Sequence, residues 1–189
     1  MSRRPLWINA VLFQLSWLLT VAGAGRGLGW VGPLVTIAFV AYTLACGGQA
    51  RADRLLILVA ATLGFAIDSL WAHTRIIEYA ASFPAATIAP LWIVALWINF
   101  ALSLNHSLAW LLQRPLLAVL FGAIGGPLSY FIAERSWHAV TLAAPLAGTL
   151  FGLALAWAVV TPLLCVVAKR LRAATGAPRS HALLAEVPR

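Results

Sequence analysis

Asp68, in the segment FAIDSLWAH, is the one acid set inside an otherwise apolar window. An ionised carboxylate at membrane depth costs on the order of 3 kcal/mol without a partner, so the position calls for a hydrogen-bond donor, neutralisation or a wet cavity. An acid so placed could hold a ligand head group or exchange a proton. Counted along a helix from Leu55, it lies about 20 Å from the inner end of its segment. Ser129 and Tyr130 fall at the same level in a later segment, and His73, Arg75, Glu134 and His138 lie closer to the outer surface.

A second constellation is LWINFALSLNHSLAWLL, Leu96 to Leu112, with Asn99, Ser103, Asn105 and His106 in an apolar frame. In one continuous helix, Trp92, Leu96, Asn99, Ser103, His106 and Trp110 follow steps of four and three and form one stripe. Lipid offers an amide or imidazole no partner, so the stripe should face protein. The rival geometry breaks the helix near Asn105, with Ser107 capping a short interfacial helix up to Gln113. Two roles compete for these groups. Asn99 could pair with Asn9 or Gln14 of the first segment as interhelical glue at about 1 kcal/mol per bond, which with Ser103 makes a structural polar set. Alternatively the stripe walls a cavity for an amphiphile, and the ligand-binding candidates are then Asp68, Trp97, Asn99, His106 and Tyr130.

The outer-facing Asp68, His73, Glu78, Glu134 and His138 have the residue types of a metal site. Their spacing argues against one, since neither HExxH nor CxxC occurs, and no metal or other cofactor is expected. The run Gly27-Leu28-Gly29-Trp30-Val31-Gly32 matches GxGxxG, but no strand precedes it, so a dinucleotide site is not expected.

The elements that must carry these side chains follow from composition. The chain has 189 residues, 62% hydrophobic and 10% charged, with a mean hydropathy of +0.92. That is too apolar for a soluble domain and marks an integral membrane protein. Apolar windows run Leu6 to Ala24, Leu28 to Cys46, Leu55 to Ala72, Ala86 to Leu104, Pro115 to Ala133 and Val140 to Ala168, each long enough to cross about 30 Å of hydrocarbon. None shows barrel-type alternation. The expected fold is therefore all-α, an integral membrane bundle of six transmembrane helices over residues 1–168, followed by a basic, disordered cytoplasmic tail over 169–189.

Orientation follows from the basic residues. With the N-terminus inside, the inner side holds Arg3, Arg4, Arg51, Arg54, Arg114, Lys169, Arg170, Arg172, Arg179 and Arg189. The outer side holds Arg26, Arg75 and Arg135, so the 13 basic residues divide ten to three. This predicts both termini in the cytoplasm of a bacterial inner membrane. Scattered at segment ends, the basic residues read as topology signals and give no reason to expect nucleic acid. Arg3, Arg4, the apolar stretch and Ala22-Gly23-Ala24 also mimic a signal peptide, although the length of the window and its Asn9 and Gln14 favour a retained first span. Cys46 and Cys165 both fall near the inner face and are expected to be reduced, packed thiols.

Three short matches keep their order along the chain: Leu6-Trp7-Ile8-Asn9 with Leu96-Trp97-Ile98-Asn99, Gly32-Pro33-Leu34 with Gly126-Pro127-Leu128, and Thr62-Leu63-Gly64-Phe65 with Thr149-Leu150-Phe151-Gly152. They lay spans one to three over spans four to six as two inverted three-helix repeats, a transporter plan; the alternative is chance matching among Leu, Ala, Trp and Gly. Gly122 with Gly126 and Gly148 with Gly152 have GxxxG spacing, predicting close approach of the last two helices. Pro162 should kink the last helix. Most of the nine Trp suit interfacial anchoring, while Trp92, Trp97 and Trp110 could line an acyl pocket.

WIN followed by FQ in the first segment, LWINFALSLNHSLAWL in the fourth and GAIGGPLSY in the fifth resemble a family of small multi-pass bacterial inner-membrane proteins classed as a domain of unknown function. The resemblance covers the chain to about Lys169. It implies a multi-pass membrane protein, leans toward lipid as the ligand, and carries over no catalytic residue. The expected function is to bind or translocate a small amphiphile or lipid in an intramembrane polar pocket. The alternatives are a lipid-modifying enzyme, with Asp68 or Glu134 and a histidine as acid and base, and a non-catalytic scaffold for a membrane partner or homo-oligomer.

Overall fold

The computed structural model describes residues 4–46 and 50–176. Six α-helices account for most of them: α1 (Arg4–Ala24), α2 (Val31–Cys46), α3 (Ala50–His73), α4 (Leu91–Asn105), α5 (Pro115–Trp137) and α6 (Leu146–Gly176). Four of these, α1, α3, α5 and α6, are long and apolar enough to cross a membrane. At 16 and 15 residues, α2 and α4 reach only about 24 and 22 Å. The fourth segment falls short because Pro84 and Pro90 interrupt the apolar run, and Ala86 to Pro90 forms turns ahead of the helix.

Sequence periodicity hid a two-stranded antiparallel ribbon of β1 (Ile77–Tyr79) and β2 (Val140–Leu142), in which Ile77 faces Leu142 and Tyr79 faces Val140. Strands of three residues are too short to register as alternation, yet their burial obeys it. Ile77, Tyr79, Val140 and Leu142 are buried, while Glu78 and Thr141 are exposed. The ribbon follows α3 and α5, so it ties their C-terminal ends together at one end of the bundle.

The central helix is α4, which packs against α1, α2, α3 and α6. From Asn99 to Asn105 every one of its residues is buried. A helix enclosed on all sides has no face reserved for lipid, and so tolerates polar groups that find partners. The outer helices carry the lipid-facing surface: Leu116 is 78% exposed, Val159 67% and Ile37 66%. A continuous apolar exterior over long helices defines a multi-pass membrane protein.

Several sequence expectations are corrected. The helix neighbours do not repeat: α1 packs along α2 and α5 along α6, while α2 barely touches α3 and no substantial packing joins α4 to α5. Together with the unequal helix lengths, this gives the inverted repeat no support from helix packing. The last helix continues past Ala168 through Lys169, Arg170 and Arg172 to Gly176, so the first residues assigned to a disordered tail are helical. The remainder of that tail, residues 177–189, lies outside the described residues, as does Arg3. Pro162 sits inside α6, which continues on both sides of it.

Candidate functional site

Along α3, Leu56, Ala60, Gly64, Asp68 and Ala72 are buried at steps of four, a stripe of mostly small side chains toward α4. A Cβ on Gly64 would lie 2.1 Å from the Trp97 ring. Only glycine lets the indole come this close to α3, and one turn further on its Nε1 donates to Asp68 Oδ2 at 2.6 Å. The other carboxylate oxygen, Oδ1, accepts from the Tyr79 hydroxyl of β1 at 2.6 Å and from the Tyr130 hydroxyl of α5. Asp68 is fully buried, so three donors from three elements replace its water. All three donate, and Asp68 serves as an acceptor at both oxygens. Burial first, then the adjacent carboxylate, pushes the Tyr79 phenol above its ordinary range and keeps it a neutral donor.

Tyr130 and Trp97 were expected here, and the structure brings them to Asp68. Tyr79 escaped notice because it lies on a connection and reaches the acid only through the ribbon. Its ring meets Trp92 edge-on at 6.0 Å, and Trp92 Nε1 donates to the Ala80 carbonyl at 2.9 Å. Ser129 donates instead to the Gly126 carbonyl at 2.7 Å.

On its far side Trp97 stacks on Trp157 of α6, with ring centroids 4.7 Å apart and planes 10° from parallel. A Cβ on Gly126 would sit 2.2 Å from the Trp157 ring, and one on Gly122 would sit 2.2 Å from the Trp157 carbonyl oxygen. The expected GxxxG approach of α5 to α6 thus holds at Gly122 and Gly126. Gly152 faces Trp71 of α3 and Gly148 faces Pro145, so that second pair does not serve the same contact.

Above the tryptophan pair lies a groove of about 260 Å³ bounded by α1, α4, α5 and α6. Its wall is aromatic, from Phe13, Trp17, Trp97, Phe100, Phe121 and Trp157, and Tyr130 forms part of it. The exposed Gln14, Phe121 and Leu128 mark its mouth between α1 and α5. Those two helices touch only slightly, so the groove opens sideways toward lipid. Gln14 is therefore a groove-mouth residue and not the buried structural polar group expected.

The remaining candidates lie elsewhere. Asn99 is fully buried and donates to Ser16 Oγ at 2.6 Å, not to Asn9 or Gln14, and Ser103 Oγ donates to the Asn99 carbonyl at 3.0 Å. The helix does end at Asn105, but Ser107 is no cap: its N–H and hydroxyl donate to Asn9 Oδ1 at 3.2 and 2.7 Å. His106 Nε2 lies 3.1 Å from Asp53 Oδ2, and Asn105 Nδ2 donates to Asp53 Oδ1 at 2.8 Å. Asp53, which is 1% exposed, is a polar centre that sequence reasoning missed. Within the charged run RADR it looks like a connector; counting back three from Leu56 puts it on the buried face of α3. Fifteen residues separate it from Asp68, or about 22 Å, so the expected single pocket resolves into an Asp68 centre with its groove, an Asn99 middle and an Asp53–His106 end. Trp110 is 45% exposed, beneath the Arg114 guanidinium 6.0 Å from its ring, and does not line the groove.

None of the other titratable groups expected near it reaches Asp68. His73, Glu78 and His138 are exposed. Glu134 accepts from the Leu142 N–H at 2.8 Å and lies 3.7 Å from Arg135. Among the described residues no three His, Cys, Asp or Glu side chains gather as a metal site would require.

Fold and site define a multi-pass helical membrane protein with a caged acid beside a lateral groove. The chain belongs to a family of proteins of unknown function, DUF2878, whose model matches residues 6–163. No curated protein and no solved structure matches it.

Proposed function

We propose that this protein binds a small amphiphile or lipid from the bilayer, with the apolar chain in the α1–α5 groove and the head group near Tyr130. The supporting observation is the groove itself. It opens laterally, is lined by aromatic rings, and has at its edge one hydroxyl held by a buried carboxylate, which suits a ligand of one apolar and one polar part. Translocation of that ligand is a further step within this reading.

The setting belongs to the same proposal. Six crossings of a bacterial inner membrane, with α2 and α4 as short spans and both termini cytoplasmic, fit the ten-to-three division of basic residues. The Asp68 centre and the ribbon then lie toward the outer face, and Asp53 with His106 toward the inner face.

The lipid-modifying enzyme is the weaker reading, because Asp68 is met by two phenols and an indole, and neither a histidine nor a second carboxylate reaches it to serve as the partner acid or base. Native mass spectrometry of protein extracted from membranes tests the binding reading. One lipid retained per chain, and lost on Gly125→Leu, whose side chain would enter open space in the groove wall, is the expected result. Lipid-free protein throughout would refute it.

A further inference from the structure

Charge is divided unevenly between the two ends of the bundle. Of the five acids, Glu186 lies outside the described residues. Glu78 and Glu134 belong to the ribbon end, and Asp68 is caged. At the opposite end the one described acid is Asp53, buried against Asn105 and His106. Arg51, Arg54, Arg114, Lys169, Arg170 and Arg172 lie at that end, and none of them pairs with a described acid.

Two of these cations meet at one corner. A short 3₁₀ helix, Ala109–Gln113, follows α4 and packs on α5 and α6. It buries Leu111 and Leu112 and leaves Trp110 and Gln113 exposed, with Arg114 exposed after it. Lys169 of α6 reaches across and donates to Gln113 Oε1 at 3.2 Å, next to the Arg114 guanidinium on its Trp110 ring. That bond uses one of the three ammonium protons, and the Arg114 side chain has no hydrogen-bond partner among the described residues. α5 begins directly after Arg114 without a side-chain cap, so its positive end adds to the two cations. Leu116, Leu117 and Leu120 of α5 then run away from the corner as an exposed apolar strip.

Uncompensated cations beside an apolar strip match a ligand with a phosphodiester head and acyl chains. The Arg114 fork can hold two phosphate oxygens at once, and the Lys169 ammonium adds a third contact. Free phosphate would leave the leucines unmatched. A zwitterionic head carries its own cation and gains less from the two side chains. We infer that the corner of α5, α6 and the short helix binds an anionic phospholipid. Neither Arg114 nor Lys169 lines the α1–α5 groove, so this is a second site.

The test titrates the full chain in detergent with phosphatidylglycerol or phosphatidylcholine at low ionic strength and counts bound lipid by native mass spectrometry. Two juxtamembrane cations should favour phosphatidylglycerol about thirtyfold, and Arg114→Gln or Lys169→Gln should each reduce that preference about fivefold. Arg114→Lys, which keeps the charge, should retain most of it. Arg170→Gln removes the same charge from a position turned about 100° around α6 from Lys169 and should leave the preference nearly intact. Gly125→Leu, in the groove wall, should also leave it intact, so the corner and the groove can fail separately. Equal binding of the two lipids overturns the inference. So does a preference that survives both Arg114→Gln and Lys169→Gln, or one that falls equally with Arg170→Gln, since the charge of the whole end would then suffice.

Discussion

At the scale of single residues, Asp68 shows how a carboxylate is kept inside an apolar bundle without a cation. Two phenols and an indole converge on it from β1, α5 and α4. Asp68→Asn keeps the size but replaces one acceptor oxygen with an NH₂: turned toward Trp97 it opposes an indole that can only donate, and turned toward the phenols it takes their lone pairs and leaves their protons without this acceptor. The expected cost is about 1–3 kcal/mol, seen as an earlier midpoint in thermal or denaturant unfolding of the detergent-solubilised protein; an unchanged midpoint would show that the cage contributes no stability. Gly64→Ala acts on the same centre from behind. Its Cβ would overlap the Trp97 ring, and overpacking of this kind costs about 1–3 kcal/mol. The indole should also move off Asp68, which near-UV circular dichroism would register as loss of the tryptophan signal.

At the scale of elements, α4 is held by polar pairs along its length: Trp97 to α3, Asn99 to α1, and Asn105 with His106 to the start of α3. In lipid there is no hydrophobic drive between helices, so such pairs and close packing decide which helices meet. A double-mutant cycle of Ser16→Ala with Asn99→Leu should return a coupling of about 0.6 kcal/mol and not above about 1.7. Additive effects in that cycle would mean the contact does not form in the membrane. The corresponding cycle of Asp53→Asn with His106→Gln should couple more strongly, because removing either partner leaves a buried polar group unmatched. Tyr79 makes the same point for the ribbon. Three residues of strand, pinned by pairing with Val140, aim one phenol at an acid on another element.

At the scale of the whole molecule, the distribution of side chains predicts its place in the bilayer. A probe that cannot cross the membrane should label Arg26→Cys from outside the cell and Arg54→Cys only after lysis, in a background lacking Cys46 and Cys165. The reverse pattern would turn the protein over and put the Asp68 end inside. Chain-brominated lipids should quench part of the tryptophan emission, and Trp157→Phe should reduce that component if the groove admits acyl chains; an unchanged quench would close it to them.

The linear chain determined the class and much of the inventory. Hydropathy alone required a helical membrane protein, and the cost of a polar group in lipid required Asp68 and Asn99 to turn inward, where both lie fully buried. Spacing also placed Tyr130 at the level of Asp68, because rise per residue is the same in every helix. Tertiary structure decided the partners. Asn99 chose Ser16, His106 chose Asp53, and Tyr79 joined the Asp68 centre, since those choices depend on which helices are neighbours and on how a connection folds back. Helical periodicity reports which face of a segment is buried; it carries no record of what lies opposite.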